Sequence, residues 1–154
     1  MRNQYKLLGR AIEIATQAHS GQFDRGGKPY ILHPLHLMSQ MMYDVELAQI
    51  AVLHDVMEDC PMWDVDKLAE EGFSLRVMHA LRLLTHLKHE SYEDYILKVS
   101  TSYDAIRVKR KDLEHNSCIT RLKGVSMKDL QRAEKYHKAF TTLGKAIIEG
   151  GFRV

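Results

Sequence analysis

The chain has 154 residues, 45% of them hydrophobic and 27% charged, with a formal net charge of +2 when its histidines are neutral. That length predicts one domain, 1–154, with enough chain for a real core, and no apolar run approaches the ~20 residues of a membrane span. A charge this mild does not argue for nucleic acid.

Cys60 and Cys118 form no CxxC pair, so neither a disulfide scaffold nor a thiolate zinc site is favoured, and both are expected to be reduced packing residues. The start, Met1-Arg2-Asn3-Gln4-Tyr5, carries no apolar signal segment, so a cytoplasmic protein without a membrane partner is expected.

Leu8, Ala11, Ile12, Ala15 and Ala18 recur at helical spacing between Tyr5 and His19 and predict a first helix, stopped by Ser20-Gly21. The stretch Gly21 to Pro34 is a loop. Its centre, Asp24-Arg25-Gly26-Gly27-Lys28-Pro29, can bring backbone and cations close to a ligand, but it lacks the strand context and spacing of a dinucleotide or P-loop fingerprint. Pro34 suits the first turn of a second helix through Leu35, Leu37, Met38, Met41 and Met42. Val45 to Leu53 is almost wholly apolar and reads as a helix buried on more than one side.

Asp64 to Ala69 predicts a short helix, and Ser74 caps another in which Val77, Met78, Leu81 and Leu84 face one way. Ser91 and Asp94 resemble a capping pair for Tyr92 to Val99. Asp104 to Leu122 is expected to be one longer helix, with Ala105, Val108, Ile119 and Leu122 among its apolar positions and Gly124 as its stop. Ser126 starts the last helix, whose expected inward stripe is Leu130, Ala133, Tyr136, His137, Phe140 and Leu143 to Ile147. No stretch alternates as a strand would, so the expected fold is an all-α bundle.

The segment His54-Asp55-Val56-Met57-Glu58-Asp59 puts an imidazole and three carboxylates at the end of the most apolar helix. Carboxylates leaving water are costly unless a cation or hydrogen bonds compensate them. Acids at a helix C-terminus also oppose its dipole by about 0.3–1 kcal/mol each, and Cys60-Pro61 should end the helix there. A divalent cation reverses that argument; a solvated, frayed helix end is the plainer account. On a continuous helix His54 would lie above Glu58 and Asp55 above Asp59.

His33, in an apolar setting at a helix start, is by itself an ordinary core histidine. Asp112 lies mid-helix, with Asn116 one turn on and on the same side. Two His and two Asp from three helices make a mixed nitrogen and oxygen shell suited to Mn²⁺ or another hard-to-borderline divalent ion, rather than to structural zinc. The run Arg107, Lys109, Arg110 and Lys111 is either a solvated helix face or a phosphate-attracting rim.

His33, His54-Asp55 and Asp112 match the H…HD…D pattern of HD-domain metal phosphohydrolases. The sequence resembles most closely the hydrolase domain of the RelA/SpoT family and its stand-alone small alarmone hydrolases. The likeness runs through Ala15-x-x-Ala18-His19-x-Gly21-Gln22, Gly27-x-Pro29-Tyr30-Ile31-x-His33-Pro34, Leu53-His54-Asp55-Val56-x-Glu58-Asp59, Leu84-Thr85, Val108-Lys109-x-x-Asp112, His115-Asn116 and Arg132-x-x-x-Tyr136.

What the resemblance implies is an HD-domain helical bundle and a Mn²⁺-dependent hydrolase removing the 3′-pyrophosphate of the guanosine alarmones (p)ppGpp. By that likeness His33, His54, Asp55 and Asp112 hold the ion, and Glu58 and Asp59 position water and move protons. Arg25, Asn116, Arg132 and Tyr136 would contact the nucleotide.

Three positions depart from the family pattern. Asp24 stands where long members tend to carry an Arg, and an acid does not stack on a base as a guanidinium plane does. Arg110-Lys111 replace a small apolar pair before Asp112, exposing that turn or adding a phosphate contact. Ile119 stands where a polar residue is expected.

Two other readings stay open: a phosphohydrolase of another small phosphorylated nucleotide, such as a nucleotidase or an NADPH phosphatase, and a catalytically silent nucleotide-binding module clamped by its metal. The presence of both Glu58 and Asp59 favours an enzyme, since a clamp needs the ligands but not the extra acids. Direct nucleic-acid binding is disfavoured, because the basic run lacks interleaved aromatic residues. A homo-oligomer stays open.

Overall fold

A computed structural model describes residues 2–152; Met1, Arg153 and Val154, at the ends of the expected 1–154 domain, lie outside the described residues. The helices are α1 (Arg2–Ala18), α2 (Leu32–Gln40), α3 (Val45–Leu53), α4 (Val56–Asp59), α5 (Val65–Glu70), α6 (Leu75–Leu84), α7 (Tyr92–Val99), α8 (Tyr103–Asn116) and α9 (Met127–Glu149), with one 3₁₀ turn at Ile119–Arg121. Among the described residues there is no strand, only an isolated bridge between Phe23 and Pro29 in the glycine-rich loop. None of these helices is long and apolar enough to cross a membrane.

The centre is α3, packed by α1, α2, α6 and α8. Every residue from Leu47 to Leu53 is buried, as a helix apolar on all sides requires. Even Gln49 is enclosed; its Nε2 donates to the Gln4 carbonyl at 2.9 Å.

Side-chain caps set the starts of the helices. Asp44 accepts from Glu46 N and Leu47 N at α3, Asp64 from Lys67 N at α5, and Ser74, Ser91, Ser102 and Ser126 cap α6, α7, α8 and α9. Such a cap satisfies backbone N–H groups that the helix leaves unpaired. Arg76 joins three of these starts. Its guanidinium meets Asp44 at 2.6 Å, Glu46 at 3.1 Å and Asp104 at 2.7 Å, tying α6 to the first turns of α3 and α8.

The sequence reading holds for the first helix, the short helix after Asp64 and the buried face Val77, Met78, Leu81 and Leu84. Elsewhere it is corrected. The helix expected over Asp104 to Leu122 stops at Asn116, and Ile119 is exposed. Arg121 folds back to donate to the His115 carbonyl at 3.0 Å, satisfying an end carbonyl that a longer helix would have used itself.

The inward stripe of the last helix is shorter than expected. Ala139, Leu143 and Ile147 are buried, whereas Leu130 and His137 are exposed, because the first half of α9 forms a wall rather than core. Cys118 is exposed and does not serve as a packing residue.

Candidate functional site

The apolar helix α3 ends at Leu53, not at Asp59. His54 and Asp55 form the link to α4, a separate turn of four residues, so the stacking expected for one continuous helix does not apply. The break is what turns both side chains inward toward α2 and α8. His33, in the first turn of α2, offers a nitrogen that lies within 4.8 Å of ligand atoms from both His54 and Asp55.

Asp112 on α8 lies beside this triad: its Oδ1 is 3.1 Å from His33 Nε2 and 3.8 Å from His54 Nε2. Asp55 Oδ2 is 3.0 Å from His54 Nε2 and 3.9 Å from His33 Nε2. The four residues expected to share an ion therefore converge from three parts of the chain.

The chemistry of this set fits a divalent cation. His54 Nδ1 donates to the Ala51 carbonyl at 2.8 Å, which leaves Nε2 as the ring nitrogen that faces the carboxylates. His115 Nδ1 accepts from Arg121 at 2.8 Å, so the hydrogen between it and His33 Nδ1, 2.6 Å away, belongs to His33. Both Nε2 atoms are buried without a hydrogen-bond partner among the described residues. A cation held between these nitrogens and the carboxylates would give each of them a well-aligned partner.

A second layer of hydrogen bonds holds the aspartates, an arrangement metal centres also use. The Tyr30 hydroxyl donates to Asp55 Oδ2 at 2.5 Å, Asn116 Nδ2 donates to Asp112 Oδ1 at 2.5 Å, and Lys109 Nζ donates to Asp112 Oδ2 at 2.7 Å. Burial opposes charge on Asp55 and Asp112, but His54 beside the first and Lys109 beside the second hold both carboxyls below the usual carboxylate range. Burial likewise opposes a charged His54, yet Asp55 and Asp112 push it up to about 10 in the metal-free protein. His115 goes the other way, down to about 4, through burial and then the neighbouring His33.

Glu58 and Asp59 sit at the rim of this cluster. Glu58 Oε2 accepts from His86 N at 3.1 Å, which fixes its carboxyl beside the cleft. Desolvation raises both acids above their ordinary values, and the negative charge of Asp55 adds to the effect.

Two pockets flank the cluster and share Tyr30, Asn116 and Tyr136. The larger, about 410 Å³, is lined by Arg25, Arg121, Arg132, Phe23, Ile119 and Leu122 among others. The smaller, about 310 Å³, holds Asp55, Glu58, Asp112, Lys109, Lys135 and Tyr92.

Of the expected nucleotide contacts, Arg25 is exposed and meets Asp129 at 2.9 Å, while Arg132 lies 3.5 Å from the same carboxylate oxygen. Asp129 thus gathers the two arginines on one wall. Asn116 holds Asp112 as well as lining both pockets, and Tyr136 stands between them.

Asp24 lines the larger pocket, and its carboxylate accepts from Arg121 at 2.8 Å and from Lys28 N at 2.9 Å, pinning the glycine-rich loop. That loop passes so close to the 3₁₀ turn that a Cβ on Gly26 would lie 2.6 Å from the Arg121 carbonyl oxygen. Arg110 lies over the Phe140 ring at 4.2 Å and Lys111 pairs with Glu114.

Sequence reasoning gave no role to Tyr30, His115 or Arg121, and read Lys109 only as part of a basic run. Tyr30, Lys109 and His115 lie inside the motifs already singled out, three residues from His33 or from Asp112; Arg121 carried no signal, because its role depends on the chain turning after Asn116.

Fold and site together define an all-helical protein in which His33, His54 and Asp55 form a largely enclosed triad that fits a divalent metal, with Asp112 beside it. No protein-family model matches the chain. It is 32% identical over 126 residues, 74% of its length, to the bifunctional (p)ppGpp synthase/hydrolase SpoT of Escherichia coli, and covers 18% of that protein. It is 32% identical over 115 residues, 67% of its length, to a guanosine-3′,5′-bis(diphosphate) 3′-pyrophosphohydrolase of Haemophilus influenzae, covering 17% of it. To the protein of that name from Vibrio cholerae it is 39% identical over 75 residues, 47% of this chain and 11% of the relative. The chain belongs to the RelA/SpoT hydrolase-related family, and it spans less than a fifth of the length of these relatives.

Proposed function

We propose that this chain is a metal-dependent phosphohydrolase that removes the 3′-pyrophosphate of (p)ppGpp, releasing GDP or GTP, in the cytoplasm. The observation that carries the reading is the convergence of His33, His54, Asp55 and Asp112, with two unpartnered imidazole nitrogens, at the floor of a cleft that also holds Glu58. The names of its relatives supply the substrate. The described helices act as one HD-type hydrolase unit in this reading.

The four ligands would hold a divalent ion, taken to be Mn²⁺. Bound there, it would lower the pKa of water to about 7 in favourable cases and neutralise phosphoryl oxygens. Water adds to the phosphorus nearest the ribose, and the bond from that phosphorus to the 3′ oxygen breaks. Glu58 and Asp59 receive the proton of the water and return one to the departing 3′ oxygen. Burial raises the affinity of both acids for protons, which suits acid–base work.

Arg25 and Arg132 bind phosphate on the wall that Asp129 organises, Asn116 and Tyr136 line the path between the pockets, and the exposed ring of Phe23 offers a face to the base.

The test is turnover of ppGpp with and without added Mn²⁺. The expected result is metal-dependent release of GDP and pyrophosphate. Untouched ppGpp alongside cleavage of a nucleoside monophosphate or NADPH would move the assignment to another phosphorylated nucleotide. Binding without cleavage of any of them would leave a silent module.

A further inference from the structure

The smaller pocket contains two features that the metal centre does not explain. The Tyr92 hydroxyl is buried with no hydrogen-bond partner among the described residues. Lys135, on α9, is exposed and pairs with aromatic faces, its Nζ 4.2 Å from the centre of the Tyr92 ring and 5.5 Å from that of Tyr136. Lys109 is the other cation of this pocket, but its Nζ already serves Asp112.

A hydroxyl shut away from water without a partner is costly, and an ammonium held over a ring keeps its donors available. Together they leave one cation held against aromatic faces and one O–H donor without a described partner on residues that line the pocket with Glu58 and Asp55. The chemical class this pair recognises is a phosphate oxygen: multiply charged, and able to accept from both donors at once.

We propose that Lys135 and Tyr92 form a seat for the second phosphate of the transferred diphosphoryl group and so determine specificity for a diphosphate over a monophosphate. The inference rests on the reading under Proposed function for which phosphorus is attacked. When the bond to the 3′ oxygen breaks, the phosphorus that takes the water lies at the His and Asp cluster. The phosphate beyond it extends into the smaller pocket, away from the nucleoside in the larger one. Lys135 supplies charge and Tyr92 supplies direction; neither touches the bond that breaks, so both act on recognition.

The experiment measures affinity for inorganic pyrophosphate and for orthophosphate at fixed free Mn²⁺, using the whole chain, its Lys135→Met variant and its Tyr92→Phe variant, with melting curves to verify folding. The expected result is a pyrophosphate affinity at least fivefold weaker in each variant and a ratio of pyrophosphate to orthophosphate affinity that falls with it. An unchanged ratio, whether both affinities stay put or both fall together, overturns the seat.

Turnover of ppGpp by the unaltered chain is read separately. Cleavage with an unchanged ratio in the variants sinks the seat and spares the hydrolase reading. A lowered ratio in the variants of a chain that leaves ppGpp intact does the reverse.

Discussion

Lys109 Nζ lies 2.7 Å from Asp112 Oδ2, one helical turn along α8, with both side chains largely enclosed. The carboxylate that faces His33 and His54 on one side is therefore neutralised on the other by a residue of its own helix. Removing one partner of an enclosed pair leaves an uncompensated charge and costs about 3–5 kcal/mol. Lys109→Met should lose about 3 kcal/mol of unfolding free energy in denaturant titrations without metal. Saturating Mn²⁺ should recover part of the loss, because a ligand that binds only the folded state adds stability.

The acids at the rim separate chemistry from binding. Glu58→Gln and Asp59→Asn keep the size of each side chain and remove its capacity to take a proton. Each should lower kcat by about 10²–10⁴, the usual contribution of a placed acid or base, while metal content by atomic absorption stays that of the original chain. Unaltered turnover would remove the assigned role.

Metal uptake should be linked to protons. In the metal-free protein His54 is raised to about 10 by Asp55 and Asp112 acting against burial, so it is protonated at neutral pH. A raised histidine stabilises the fold fully below its unfolded value near 6.5, and that contribution is lost as pH climbs through about 10. Binding a cation at Nε2 requires the proton to leave. Calorimetric titration with Mn²⁺ at pH 7 in buffers of different ionisation enthalpy should report release of about one proton.

Arg76 sets the acid limb of stability. Burial works against the charge of Asp44, but its bond to Arg76 lowers that carboxyl, and the Arg76 bond is the main cause of the lowering at Asp104. Depressed carboxyls stabilise the fold above their unfolded value and lose that contribution as pH falls through the folded one. Arg76→Ala should cost about 1–2 kcal/mol at pH 7, a figure kept small because the cluster is partly open to solvent. The difference between variant and parent should shrink below pH 4, roughly the ordinary carboxylate value, in denaturation curves taken across that range.

Asp24 and Arg121 couple two segments that are 97 residues apart. A double-mutant cycle with Asp24→Ala and Arg121→Ala should give a coupling of about 0.5–1 kcal/mol, as partly exposed pairs do. Each single change should also raise KM for ppGpp, since the loop carrying Arg25 loses its anchor. Additive losses would show that the pair does not hold the loop.

By itself the sequence determined the helical class and most helix starts, and it singled out four candidate ligands. Those features are local: periodic apolar residues, capping side chains such as Ser74, Ser91 and Ser126, and His and Asp residues whose chemistry does not depend on their neighbours.

What the tertiary structure decided is direction. The break at His54-Asp55, the stop of α8 at Asn116, the outward turn of Leu130 and the bond from Asp24 to Arg121 all depend on partners far away in the chain. A residue's hydrogen-bond partner and exposure follow from packing between segments, and no local pattern records which distant group will be there to meet it.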